Sequence, residues 1–189
     1  MEKKTSIKVI GIGGGGGNAI DRMLDAKVSG VELVACNTDE QDLKKIKAHK
    51  KIRMGKQVTR GLGAGTNPEI GRKAALESKE ELTQALLGAD LVFLAAGLGG
   101  GTGSGAISLI ADIARSQGAL VIAVVTKPFS FEGLSRMRVA ERSLQELQTK
   151  VDTLLVVPND QILKLMGPET TVQEAFWKID ELLRQAVQG

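Results

Sequence analysis

Tyrosine is absent from this chain, tryptophan occurs once, and aromatic residues fill only 3% of its 189 positions. That scarcity removes the stacking surface on which proteins hold single-stranded nucleic acid. A single cysteine, Cys36, excludes an internal disulfide, and its place in an apolar run fits a core thiol in a reducing cytoplasm. No apolar run approaches the roughly 18 residues of a membrane span. Met1 to Ser6 leads into a strand without the apolar core of a signal peptide. A large excess of one charge is missing as well: a net charge of +3 is too small to argue for a specific nucleic-acid partner. The seven Lys and Arg between Lys44 and Lys56 read as a solvated face, and the lone His49 among them has no partner that would make a metal site.

What the chain has instead is glycine, 23 residues, gathered largely in three stretches. Six of the nine residues from Gly97 to Gly105 are glycine. Ahead of them, Leu91 to Ala96 has the length and content of a buried strand; behind them, Ala106 to Ala114 has the apolar spacing of a helix. Strand, glycine loop and helix in that order make an anion site. The N–H groups and dipole of the helix N-terminus face a negative group, which glycine allows to come close. Thr102 and Ser104 add hydroxyl donors. Ile7 to Ile12, the loop Gly13 to Gly17 and a helix opening at Asn18 repeat the arrangement.

Further apolar runs at 31–36, 120–125 and 154–157, with a weak one at 52–54, alternate with helical patterns at 41–51, 69–87, 134–150 and 172–187. The alternation predicts an α/β fold, a three-layer doubly wound and mostly parallel sheet covered on both faces. In such a sheet the turns at 13–17, 37–39, 97–105, 126–133 and 158–160 share the carboxyl edge, where ligands bind.

The residues themselves leave the ligand open. Gly11 to Gly16 satisfies G-x-G-x-x-G, and Asp39 lies near the spacing of a ribose-binding acid, so a nicotinamide-dependent oxidoreductase is one reading. A P-loop is excluded, because neither glycine loop carries Gly-Lys-Ser/Thr. A pyrophosphate needs one glycine loop; two on neighbouring strand ends predict a longer phosphate chain gripped from both sides. Backbone N–H groups and Mg²⁺ would then do the work of a loop lysine.

Gly99 to Gly105 resembles the signature loop of the tubulin and FtsZ family of GTPases. Thr59 to Gly65, Pro128 to Gly133 and Pro158 to Asp160 resemble its FtsZ branch, and the similarity runs from about Ile7 to the last residue. The resemblance implies GTP or GDP as ligand, with Mg²⁺ accompanying GTP. It places Gly14, Gly15, Gly16, Gly17 and Asn18 on the phosphates and nucleoside, and Gly101, Thr102 and Gly103 on the β- and γ-phosphates. Glu132 would bind the ribose hydroxyls, Arg136 the sugar or α-phosphate, and Asn159 and Asp180 the guanine edge. A carboxylate suits guanine, whose N1–H and 2-amino group form a pair of donors. Taken without the resemblance, Asp180 is equally an ordinary polar-face aspartate, Glu132 and Arg136 a plain i,i+4 pair, and Asp39 a turn former. Phe129 and Phe131 read as packing residues. No residue is assigned as catalytic.

Residues 1–189 read as one guanine-nucleotide-binding domain ending in a long helix at 172–188, with the family's second domain and its acidic loop absent. In the family that loop completes the GTPase in the next subunit. The resemblance therefore implies a cytoplasmic protein that polymerises head-to-tail into the mid-cell division ring. This chain alone should bind nucleotide and hydrolyse it poorly, or act as a stand-alone filament-capping module. The last helix carries Phe176, Trp177, Ile179, Leu182, Leu183, Ala186 and Val187, too many apolar residues for one face, so part of that surface should be exposed.

Overall fold

The computed structural model describes residues 5–188. Its strands are β1 (Ile7–Ile12), β2 (Val31–Asn37), β3 (Lys50–Arg53), β4 (Leu91–Gly97), β5 (Leu120–Lys127) and β6 (Thr153–Pro158). They form one sheet in the order β3-β2-β1-β4-β5-β6. Every pairing is parallel, so the mostly parallel sheet expected from the pattern is wholly parallel here. The connecting helices are α1 (Gly13–Asp25), α2 (Glu40–Lys45), α3 (Pro68–Glu77), α4 (Lys79–Leu86), α5 (Gly101–Ser116), α6 (Leu134–Gln148), α7 (Asn159–Met166) and α8 (Val172–Gln188).

The sheet separates two cores. On one face Val9, Leu33 and Val124 pack with Ile20 and Met23 of α1 and with Leu183 and Val187 of α8. On the other, Ile10, Leu94 and Val125 pack with Ile107 and Ile110 of α5, Leu86 of α4 and Leu147 of α6. Burial on both faces is why β4 reads as a nearly unbroken apolar run. The strand order reverses between β1 and β4, and their following helices, α1 and α5, leave to opposite faces. A crevice at the carboxyl edge between them follows from that topology.

The glycine stretches are more helical than expected. The first helix begins at Gly13 rather than Asn18, and α5 begins at Gly101. The motif glycines of α5 also serve packing: a Cβ on Gly105 would stand 2.0 Å from Pro68 O, and one on Gly71 2.1 Å from Gly101 O. Only two helices without those side chains could lie as close as α3 and α5 do. Helix α7 has no counterpart in the sequence reading. It is a short amphipathic segment whose Ile162 and Leu163 rest on a small cluster of Phe129, Ala175 and Ile179.

Phe129 is fully buried, stacked on Phe131 at 4.8 Å and edge-on to Phe176 at 5.0 Å, which is a packing role. Cys36 is buried, and burial pushes its thiol up to about 12, the behaviour of an inert core thiol. Within the basic run, Lys44 and Arg53 pair with Glu40, Lys45 with Asp42, Lys47 with Asp25 and Lys56 with Glu81. On α8, Ala175, Ile179, Leu183 and Val187 are buried while Phe176 and Trp177 remain 39% and 52% exposed, so the apolar surplus is on the surface.

Candidate functional site

The carboxyl ends of β1, β2, β4, β5 and β6 open onto one cleft of about 540 Å³. At one end stand the N-termini of α1 and α5. Neither has a side-chain cap, and neither has an acidic residue in its first turn. The contrast with α2 and α3 is direct: there Asp39 accepts from Asp42 N and Asn67 from Glu69 N, each at 3.0 Å. Apart from Gly101 N, which donates to Gly65 O, the first-turn N–H groups of α1 and α5 have no side-chain cap and are donors suited to an anion. Gly14 and Gly15 on one side and Gly101, Thr102 and Gly103 on the other line the gap between them. A Cβ on Gly14 would meet no atom within 4 Å, so the helix end is open to a ligand.

The third glycine stretch closes this end. Gly63 N donates to Thr38 O at 3.2 Å, Thr59 Oγ1 to the same carbonyl at 3.2 Å, and Gly101 N to Gly65 O at 2.7 Å. The hydroxyls of Thr38 and Thr102 lie 2.6 Å apart, which ties β2 to the first turn of α5. Ser104 does not add a donor to the cleft as expected; it is buried and accepts from Gly99 N at 2.8 Å, bracing the loop from inside.

At the other end the cleft is lined by side chains. Glu132 accepts from Phe129 N at 2.8 Å, and Arg136 Nη1 lies 3.9 Å from its other oxygen. Asn159, 3% exposed, keeps its Oδ1 without a donor among the described residues. Asp180 is 8% exposed and shares the end with Asn159, Phe176 and Ile179. Desolvation pushes its carboxyl up to about 6, against the opposing influence of Arg22 and a hydrogen bond from Asn18.

Asn18, Glu132, Arg136, Asn159 and Asp180 thus line the same cleft as the glycines of α1 and α5. Gly16 and Gly17 do not reach it. A Cβ on Gly16 would stand 2.3 Å from Ala95 O, and one on Gly17 3.2 Å from the Ile46 side chain. Asp39 lines the cleft, but its carboxylate is the cap of α2, the turn-forming role. Asn37 and Thr126, from the turns expected at the ligand edge, line the cleft as the last residue of β2 and within the end of β5. Sequence reasoning missed Asp42, Ala64 and Phe176 as lining residues.

Such a sheet, with two glycine-rich helix ends facing each other across its switch point and no lysine among the lining residues, has the architecture of the nucleotide-binding class of α/β domains. Residues 6–167 match the Tubulin/FtsZ family, GTPase domain. Over its whole length the chain is 46% identical to an FtsZ of M. jannaschii solved as an empty dimer, with a TM-score of 0.96, and it covers 55% of that chain. It is 26% identical to CetZ2 of Haloferax volcanii, solved as a GTPγS-bound protofilament, over 97% of this chain and 57% of that one, with a TM-score of 0.86. For CetZ1 of the same organism, a GDP-bound monomer, the values are 28%, 96%, 58% and 0.85. The chain belongs to the Tubulin/FtsZ family. It spans little more than half the length of these relatives. The oxidoreductase alternative finds no support in any of these matches.

Proposed function

We propose that the cleft binds GTP or GDP and that the chain is the nucleotide-holding part of an FtsZ-like GTPase that assembles head-to-tail in the cytoplasm and acts in cell division. The observation that carries this is the pairing, in one cleft, of two uncapped helix ends with a buried carboxylate and a buried donor-less Asn159 at the far end. The helix ends suit a phosphate chain; Asp180 and Asn159 offer acceptors to the guanine N1–H and 2-amino group. Glu132 and Arg136 stand between as partners for the sugar and α-phosphate. No group of three His, Cys, Asp or Glu disposed to hold a metal occurs among the described residues, so Mg²⁺ would enter on the phosphates.

Hydrolysis needs a group that orients water, and the two carboxylates that line the phosphate end among the described residues are engaged elsewhere. Asp39 caps α2, and Asp42 pairs with Lys45 at 3.3 Å. The missing group would come from another subunit, so the chain alone should turn over GTP slowly. Around the cleft mouth Leu62, Phe131 and Leu134 are 84%, 55% and 76% exposed, an apolar rim suited to a neighbouring subunit in a head-to-tail contact. That rim also suits a module that caps a filament end. The exposed Phe176 and Trp177 on α8 fit a face that a further domain would cover. No helix among the described residues is long and apolar enough to cross a membrane, in keeping with a cytoplasmic protein. Calorimetric titration with GDP and NAD⁺ tests the nucleotide: GDP binding without NAD⁺ binding is expected, and the reverse overturns the proposal. GTP turnover by the chain alone at the rate of an assembled full-length relative would overturn the shared-site part.

A further inference from the structure

Behind the base end of the cleft lies a cation that the proposed binding chemistry does not use. Arg22 stands on α1 one turn beyond Asn18 and does not line the cleft. Its Nη2 is 3.7 Å from Asp180 Oδ2, and its guanidinium lies 4.9 Å from the centre of the Trp177 ring. Trp177 and Asp180 are three residues apart on α8, and Asn18 and Arg22 four apart on α1, so each pair shares a helix face. The packed helices thereby close a cluster of four side chains. Within it the Arg22 Nε is buried with no acceptor among the described residues. The geometry aims the charge at Asp180 and leaves one guanidinium donor unused.

This inference rests on the reading that Asp180 accepts from guanine. We propose that Arg22, held by the face of Trp177, is a positioning residue that keeps the Asp180 carboxylate in its charged, double-acceptor form. The chemistry requires it. A carboxylate presents two acceptors to the paired N–H donors of guanine, whereas a carboxylic acid turns one of them into an opposing O–H. Burial favours the acid form, and Arg22 is the largest influence against it. Trp177 covers the guanidinium and shields it from water on one side, which strengthens its field at Asp180. Other charged groups nearby do not take over this role. Glu181 and Arg184 of α8 pair with each other at 2.9 Å, Asp21 accepts from Lys47 N, and Asp25 pairs with the Lys47 side chain. Asn18 and Asn159, which face Asp180 from α1 and α7, are neutral.

The test follows the Asp180 carboxyl by ¹³C NMR through a pH titration of the nucleotide-free chain, alongside GDP affinity at two pH values. Arg22→Met is expected to raise the Asp180 midpoint by about one pH unit. Because binding needs the ionised form, the variant should bind GDP nearly tenfold more weakly at about pH 5.5 and equally well at about pH 8. Arg22→Lys keeps the charge without the guanidinium over the Trp177 ring, and Trp177→Leu keeps the guanidinium without the ring beneath it; both should shift the midpoint the same way by less, and both serve if Arg22→Met fails to fold. In an Asp180→Asn background, Arg22→Met should have no pH-dependent effect on affinity. An unchanged Asp180 midpoint in these variants, or a GDP deficit equal at both pH values, overturns the proposal. Wild-type chain that binds no GDP would remove the guanine reading, and the nucleotide-free titration would still decide whether Arg22 holds the charge.

Discussion

The two ends of the cleft are made of different material. The phosphate end is backbone: the first turns of α1 and α5, and a strap from the third glycine stretch, with side chains kept out by glycines packed against carbonyl groups. The nucleoside end is side chains from α1, α6, α7 and α8 and from Glu132 just before α6, with two carboxylates and one arginine among them. One end is defined by shape and the other by charge. The first should fail by steric intrusion at any pH, the second by titration with the fold intact.

The largest effect should come from intrusion behind the phosphate end, where α1 packs on β1 and β4. Gly16→Ala sets a methyl 2.3 Å from Ala95 O and against the Gly11 backbone, so neither neighbour can yield cheaply. A stability loss of about 3 kcal/mol is expected, read as a lower unfolding temperature. Gly14→Ala meets nothing within 4 Å and should leave that temperature nearly unchanged while weakening nucleotide binding, since the methyl occupies the ligand's surface. Equal destabilisation by both substitutions would erase the distinction between packed and ligand-facing glycines.

At the nucleoside end, Asp180→Asn should cost about 100-fold in GDP affinity, the loss of charge-assisted hydrogen bonds to the base. The same change should stabilise the nucleotide-free protein at neutral pH. The folded carboxyl titrates at about 6 against an ordinary 3.8, so its burial costs nothing below about pH 4 and is felt fully above 6. Urea unfolding should show a gain on the order of 2 kcal/mol for Asp180→Asn at pH 7 and none near pH 4. A variant that loses both affinity and stability would mean that Asp180 is structural.

Thr38→Val sharpens the comparison at the junction, because it leaves the Thr102 hydroxyl without its 2.6 Å partner. The expected cost is about 1 kcal/mol in stability, with Thr38→Ser close to wild type. The smallest effect belongs to Arg136→Ala. Its pair with Glu132 spans 3.9 Å and its side chain is 41% exposed, so stability should change by less than about 0.5 kcal/mol, and GDP affinity by a few-fold.

Much of this was legible along the chain. The run at Leu91–Gly97 announces a strand because burial on two faces leaves no polar position to interrupt it, and Ile7–Ile12 does so with Lys8 as its one polar residue. The polar and glycine-rich turns directly after them mark the ligand edge for the same topological reason. Helix α7 escaped notice because eight residues carry too little periodicity, and its Ile162 and Leu163 acquire meaning only against Phe129. Ser104 was read as a donor to the ligand because a hydroxyl's direction is not written in its neighbours.

By itself the sequence determined the class of fold, the edge of the sheet that binds and the family, because strand burial, helix spacing and glycine motifs are all local properties of the chain. Only the tertiary structure decided which glycines face the ligand and which face another backbone, since Gly14 and Gly16 are the same letter and differ only in what packs over them. It alone brought Arg22 of α1 to Asp180 and Trp177 of α8. Nothing local links those segments; their contact exists because both helices cover one face of the same sheet.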